Sequence, residues 1–108
     1  MNKCLFIGAL CKDNELKESN GKVYLNNTLA VPRKGYGNSD FFSITAFGKT
    51  AELINQYFSK GSRIGLECHA NSTTYEKDGH KVYATSFIVD SIDFCESKKA
   101  QDQGEKFE

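Results

Sequence analysis

The stretch Asp40-Phe41-Phe42-Ser43-Ile44-Thr45-Ala46-Phe47-Gly48-Lys49 decides the fold. It has the length and the aromatic and β-branched content of a strand, in which successive side chains point to opposite faces. Phe42, Ile44 and Ala46 then share one face, and Phe41, Ser43, Thr45 and Phe47 share the other. The first set is an ordinary core stripe. The second places two phenyl rings on a face that is otherwise hydroxylated. At about 3.3 Å per residue those rings stand roughly 20 Å apart. Burial under a second layer is the usual fate of phenylalanine. The other reading is a sheet face in contact with water that carries spaced aromatic platforms, the arrangement by which sheets and small barrels hold unstacked bases. The rest of the chain chooses between the two.

Upstream, residues 3–11 form an apolar run of strand length, Lys-Cys-Leu-Phe-Ile-Gly-Ala-Leu-Cys. Gly8 within it signals a bend, a bulge or the close approach of another backbone. Residues 12–22 are polar apart from Leu16, and Asn20-Gly21 is a hairpin signal. Residues 22–32 resume strand character. Val23, Leu25, Leu29 and Val31 fall on one parity, and Tyr24, Asn26, Thr28 and Ala30 on the other. Pro32 ends that ladder, because it has no amide donor. Arg33 to Ser39 reads as a loop, with Tyr36 between two glycines and two cations ahead of it. An aromatic ring and paired cations on such a loop suit an extended polyanion with π-faces.

Downstream, Lys49–Lys60 has helical spacing in Ala51, Leu53, Ile54, Tyr57 and Phe58. Gly61 stands where a left-handed cap belongs. Glu52 near the start and Lys60 near the end suit the helix dipole. Residues 62–75 form the next strand, with Ile64, Leu66, Cys68 and Ala70 on its apolar parity. Glu76-Lys77-Asp78-Gly79 turns the chain, and residues 80–95 return. Five strands result, with one helix between the third and fourth. A three-strand meander followed by a hairpin is the order of the all-β, five-stranded OB-fold Greek-key barrel, which takes oligonucleotides or oligosaccharides. The domain is expected to span residues 1–95, with 96–108 a short disordered tail.

Composition narrows the classes. At 108 residues the chain holds one core. Fourteen cations balance fourteen acids, so no global field announces a polyanionic partner. The balance is uneven, however. Six acids against three lysines from Asp90 onward leave residues 1–89 at +3. A mildly basic middle permits an anionic ligand without requiring one. No apolar run has transmembrane length, and the N-terminal residues lack a signal-peptide pattern, so a cytoplasmic protein without a membrane role is expected. Cys4, Cys11, Cys68 and Cys95 are scattered with no C-x-x-C pair, as befits free thiols in a core. Cys68 and His69 point to opposite faces of one strand, which makes them a poor pair of zinc ligands. No metal or cofactor is expected.

Against this background the chain resembles the bacterial-type single-stranded DNA-binding proteins, from about Met1 to Cys95. The resemblance lies in Asn2-Lys3 leading into Leu5-Phe6-Ile7-Gly8, in Asn26-Asn27-Thr28-Leu29-Ala30-Val31, and above all in Ala46-Phe47-Gly48-Lys49-Thr50-Ala51-Glu52. Tyr57, Lys60-Gly61-Ser62, Leu66-Glu67 and Lys81-Val82-Tyr83 agree with it. It implies an OB barrel, a homotetramer, and binding of single-stranded DNA with little sequence preference during replication, recombination or repair. It implies that Phe41, Phe47 and Tyr75 stack on bases, with Tyr36 near a fourth stacking position and Lys49 near the strand. Arg33, Lys34, Lys77 and Lys81 are the remaining candidate cations. The chain departs from the family in several places. It has no tryptophan where Phe41 and Tyr75 stand, and no cation in Ala70-Asn71-Ser72-Thr73-Thr74. Cys68 replaces a common glycine, and the chain ends on Gly104-Glu105-Lys106-Phe107-Glu108 rather than on the family's acidic tip. That ending leaves two readings, a shortened chain or an accessory, mobile-element copy, and it leaves replication and repair proteins uncertain as partners.

Catalysis is not expected. No nucleophile elbow, phosphate loop or metal triad is present. His69 and His80 read as strand-surface residues, and Asp13, Glu15 and Glu18 as a solvated run. Two rivals remain: an OB module of primosomal type that acts mainly through protein partners, and a binder of single-stranded RNA, since stacking and phosphate contacts do not test the 2′-hydroxyl.

Overall fold

The computed structural model describes residues 1–35 and 37–93. Tyr36, Cys95 and the expected tail at 96–108 lie outside the described residues. The elements run β1 (Cys4–Leu10), β2 (Lys17–Ser19), β3 (Lys22–Pro32), β4 (Ser39–Phe47), α1 (Gly48–Tyr57), β5 (Arg63–Lys77) and β6 (His80–Asp93).

Side-chain alternation in β4 is obeyed as the sequence implies. Ile44 and Ala46 are sealed inside, while Phe41 and Phe47 point out. β3 supplies Leu25 and Leu29 to the same interior, β5 supplies Ile64, Leu66 and Cys68, and α1 closes one end with Ala51 and Ile54, followed by Phe58. β4 pairs antiparallel with β3 from Tyr24↔Phe47 to Pro32↔Ser39. β5 and β6 form the long hairpin. β6 reaches β4 in parallel through Ile44↔Phe87 and Thr45↔Ile88. β1 lies antiparallel to β5 and touches β3 at Ala9↔Ala30 and Leu10↔Leu29. The ring β1–β3–β4–β6–β5–β1 is therefore closed, and closure is how a small all-β domain removes most free strand edges. This is the expected OB barrel.

Gly8 is the closure point. A Cβ there would meet the Ala30 carbonyl oxygen at 2.4 Å, so β1 can cross β3 only where it has no side chain. Two tight turns carry the hairpins. Asn20-Gly21 and Asp78-Gly79 each place both residues at positive φ, the mirror-image turn whose twist matches that of the strands. Between Glu67 and Cys68 the β5–β6 register shifts by one, leaving Asp90 as the extra residue of β6.

Four expectations need correction. The meander contains a short extra strand, β2, paired with β3 through Lys17↔Tyr24 and Ser19↔Lys22. Three polar residues carry no apolar periodicity, so only the turn beside them was legible. Helix α1 ends at Tyr57, before Lys60, and Phe58 already has extended backbone. Neither Glu52 nor Lys60 then lies in a terminal turn, and no dipole pairing of that kind exists. Gly61 is left-handed but belongs to the following turn, where its amide donates to the Leu10 carbonyl. Phe42 is half-buried rather than sealed in the core. Its ring stacks on Phe6 at 4.6 Å and meets Phe87 edge-on at 5.4 Å, forming an aromatic cluster on the inner face.

The end of α1 is held from outside. The Asn14 amide donates to the Ile54 and Phe58 carbonyls at 3.3 and 2.8 Å, adding a donor at the helix end, where carbonyls run short of intrahelical partners; the Ile54 carbonyl also accepts the Phe58 amide. Asn27 is buried and orders the loop that delivers Asn14. Its amide donates to the Lys12 carbonyl and to Asn14 Oδ1, and its own Oδ1 accepts from the Lys12 and Thr28 amides.

Candidate nucleic-acid interface

The outer side of β3 and β4 is built by alternation alone. Tyr24, Asn26, Thr28 and Ala30 on β3 face out beside Phe47, Thr45, Ser43 and Phe41 on β4, in register. Phe41 is 67% exposed and Phe47 49%. Thr45 donates to Asn26 Oδ1 at 2.8 Å, tying the polar floor between the rings. Thr45 also lies level with Ile88 of β6, and Ile88 is opposite His69 on β5. Following that parity outward along the hairpin reaches Tyr75, opposite Val82 and 51% exposed. Phe41, Phe47 and Tyr75 therefore belong to one continuous outer surface. Tyr83, though 72% exposed, is opposite Thr74 and lies on the other side of the hairpin, in line with the barrel interior.

Phe47 stands at the junction of strand and helix. It is the N-cap residue of α1, with extended backbone and no side-chain cap. Gly48 follows at φ +57, a conformation that side-chain-bearing residues disfavour. The chain thus leaves the sheet beside Phe47 without placing a side chain against it. Lys49 then falls in the first turn of α1. A cation there opposes the helix dipole, so the fold gains nothing from it, while the positive end of the helix and the ammonium group act together on any nearby anion.

The other cations are placed less uniformly. Arg33 is held by Asp40, Nε to Oδ1 at 2.7 Å, and its amide donates to the Asn38 carbonyl at the base of the loop. Its charge is therefore largely answered within the protein. Lys34 is exposed beside it. Lys77 and Lys81 are exposed at the hairpin tip, with Lys81 opposite Glu76. Tyr36 lies outside the described residues, so the structure does not place it. Tyr24 is an addition. Sequence parity put it on the mixed face, but only the register shows its ring beside Phe47, with centroids 6.4 Å apart.

The opposite flank of the barrel has another character. Leu5 and Ile7 point outward from β1 at 72% and 51% exposure. Beside them lies an open groove of about 560 Å³ lined by Gly65, Glu67, Ser91 and Asp93 among others. Lys3 pairs with Glu67 at 3.4 Å. Glu67 and Asp93 thus place acids beside Leu5 and Ile7. No group of three or more metal-ligating side chains occurs among the described residues.

Residues 1–95 match the family model described as the single-strand binding protein family. The chain belongs to that family. A Staphylococcus aureus (strain Mu50) relative named single-stranded DNA-binding protein 1 is 38% identical over 109 aligned residues, covering 94% of this chain and 70% of the relative. Single-stranded DNA-binding proteins of Fusobacterium nucleatum and Clostridium perfringens are 39% and 41% identical. Those alignments cover 91% and 90% of this chain, and 69% and 67% of the relatives. The run on which the single-strand binding family resemblance chiefly rested, Ala46 to Glu52, is the junction of β4 and α1 that presents Phe47.

Proposed function

We propose that the protein binds single-stranded DNA with little sequence preference, protecting it during replication, recombination or repair, and that it does so without catalysing a reaction. Unpaired bases stack on Phe41, Phe47 and Tyr75, with Tyr36 contributing from its loop. Lys49, Lys34, Lys77 and Lys81 meet phosphates, and Arg33 contributes less because Asp40 holds it. The observation that carries this reading is the outward placement of two phenyl rings on one strand, over a polar floor, in a chain of the single-strand binding family. Large apolar rings exposed in register cost solvation, and every base offers them a π-face. Residues 1–95 form the binding domain in this reading, and 96–108 are an appendage to it.

The assembly is a homotetramer in the cytoplasm. The exposed Leu5 and Ile7, together with a β1 edge that meets β3 only at Ala9 and Leu10, support self-association through that flank. Among the described residues no helix is long and apolar enough to cross a membrane.

Titration of fluorescent oligo-dT, oligo-rU and duplex DNA at two salt concentrations tests the proposal. Oligo-dT should bind well above duplex, because stacking needs unpaired bases. Its affinity should fall moderately with salt, at about −0.7 in the log–log slope for each neutralised phosphate. Stronger binding of oligo-rU would point to an RNA ligand, and no binding of any of the three would point to a module that works through protein partners.

A further inference from the structure

We propose that Tyr24 and Lys17 form an additional nucleotide subsite across the strands from Phe47, so that the bound strand continues over β3 onto β2. The inference rests on the reading of the outer face as the DNA surface, and it deepens that reading.

Three residues make one row. Tyr24 is opposite Phe47 on β4 and opposite Lys17 on β2. Directly paired residues share a face, so all three side chains leave the same side of the sheet. With neighbouring strands about 4.8 Å apart, the row spans roughly 10 Å, a length suited to a base and its neighbouring phosphate. The Tyr24 and Phe47 rings are inclined at 39° with centroids 6.4 Å apart. That is too far and too tilted for the two rings to stack face to face. They form a shallow V instead, and a base lying on Phe47 has the Tyr24 ring as the next apolar surface beside it.

Neither Tyr24 nor Lys17 is used up by the fold. The phenol hydroxyl of Tyr24 has no hydrogen-bond partner among the described residues, and Lys17 has no ion pair there. The ring is half-buried, hence steady enough to present a fixed surface. β2 consists of three exposed polar residues, Lys17 among them, and contributes no core. As a purely structural element it adds little, whereas as a shelf carrying Lys17 it supplies the only basic residue in a row that otherwise lacks one. The ligand is one more nucleotide of an extended strand, stacked on a phenol ring with its phosphate at an ammonium group.

The experiment uses the intact protein with oligo-dT. Tyr24→Leu should weaken binding about fivefold or more while the thermal melt stays near wild type, and Tyr24→Phe should bind within twofold of wild type, because the ring rather than the hydroxyl carries the stack. Lys17→Gln should reduce the magnitude of the log–log salt slope by about 0.7. Photocrosslinking to oligo-dT carrying 5-iodouracil should label the peptide containing Tyr24, a result that a merely supporting ring would not give. If oligo-dT binds and Phe47→Ala weakens it, yet Tyr24→Leu binds like wild type and residue 24 is never labelled, the subsite is overturned and the face stands. If wild-type protein fails to bind oligo-dT at all, the face itself is wrong.

Discussion

At Phe41, Phe42 and Phe47, one strand gives the same side chain two fates, the outer face for Phe41 and Phe47 and the inner face for Phe42. Phe47 is about half exposed beside Gly48 and lies outside the core, against the Tyr24 ring, so Phe47→Ala should cost oligo-dT binding by roughly 1–3 kcal/mol with the melt nearly unchanged. Phe42 stacks on Phe6 and abuts Phe87, so Phe42→Ala should lower the melt and leave the folded fraction able to bind. Because Phe42 is half-buried, the loss should fall below the roughly 3–5 kcal/mol typical of a buried phenylalanine. Parallel calorimetry and titration of the two variants check the crossover, and the opposite pattern would mean that β4 is inverted. Cys68 offers a pH test. Burial pushes its thiol from 9.0 up to about 12, and Asp90, Cys4 and Glu67 add to the effect by disfavouring a further negative charge. The folded protein keeps this proton where the unfolded chain releases it. Cys68 therefore adds stability that is intact below pH 9 and is lost as pH rises toward 12. Urea melts across that window should show a steeper decline for wild type than for Cys68→Ala.

Among the elements, the strands were legible because alternation is a two-residue signal that survives without knowledge of partners. Leu25 and Leu29, Ile44 and Ala46, and Ile64, Leu66 and Cys68 all turned inward on the parity read from sequence. The same parity exposed Phe41, Phe47 and Tyr75. What stayed hidden depends on contacts distant in sequence. The end of α1 is decided by Asn14 donating to Ile54 and Phe58, and the position of Asn14 is decided by Asn27, one strand further on. No local pattern marks an asparagine for that work, since Asn27 sits on the apolar parity of β3 like a misplaced polar residue. Its removal should be felt at the helix. Asn27→Ala leaves the Lys12 backbone and Asn14 short of partners, at a cost of about 1–3 kcal/mol, and hydrogen exchange should quicken in the last turn of α1 before the barrel strands respond. Uniform loss of protection throughout the domain would contradict this local role. Arg33 was likewise unreadable as a neutralised cation, because Asp40 meets it only when β3 and β4 come into register.

For the whole molecule, the barrel presents two unlike flanks, one with rings over a polar floor and one with Leu5 and Ile7 among acids. Light scattering at micromolar concentration should report a tetramer, and Leu5→Lys combined with Ile7→Lys should reduce the mass while oligo-dT contacts on the other flank persist in each subunit. A monomeric wild-type protein would remove the self-association proposal. The ring closure itself has a consequence for how the chain is made. β1 is synthesised first, but most of its partners are in β5, roughly sixty residues later. At about 5–20 residues per second, the Leu5-Phe6-Ile7 run would wait roughly 3–12 seconds after emerging from the ribosome before its partner strand existed. The β3–β4 hairpin can form well before then. A nascent chain stalled at the end of α1 should thus engage a holding chaperone through its first ten residues, and release it once β5 has emerged and Gly8 can seat against Ala30.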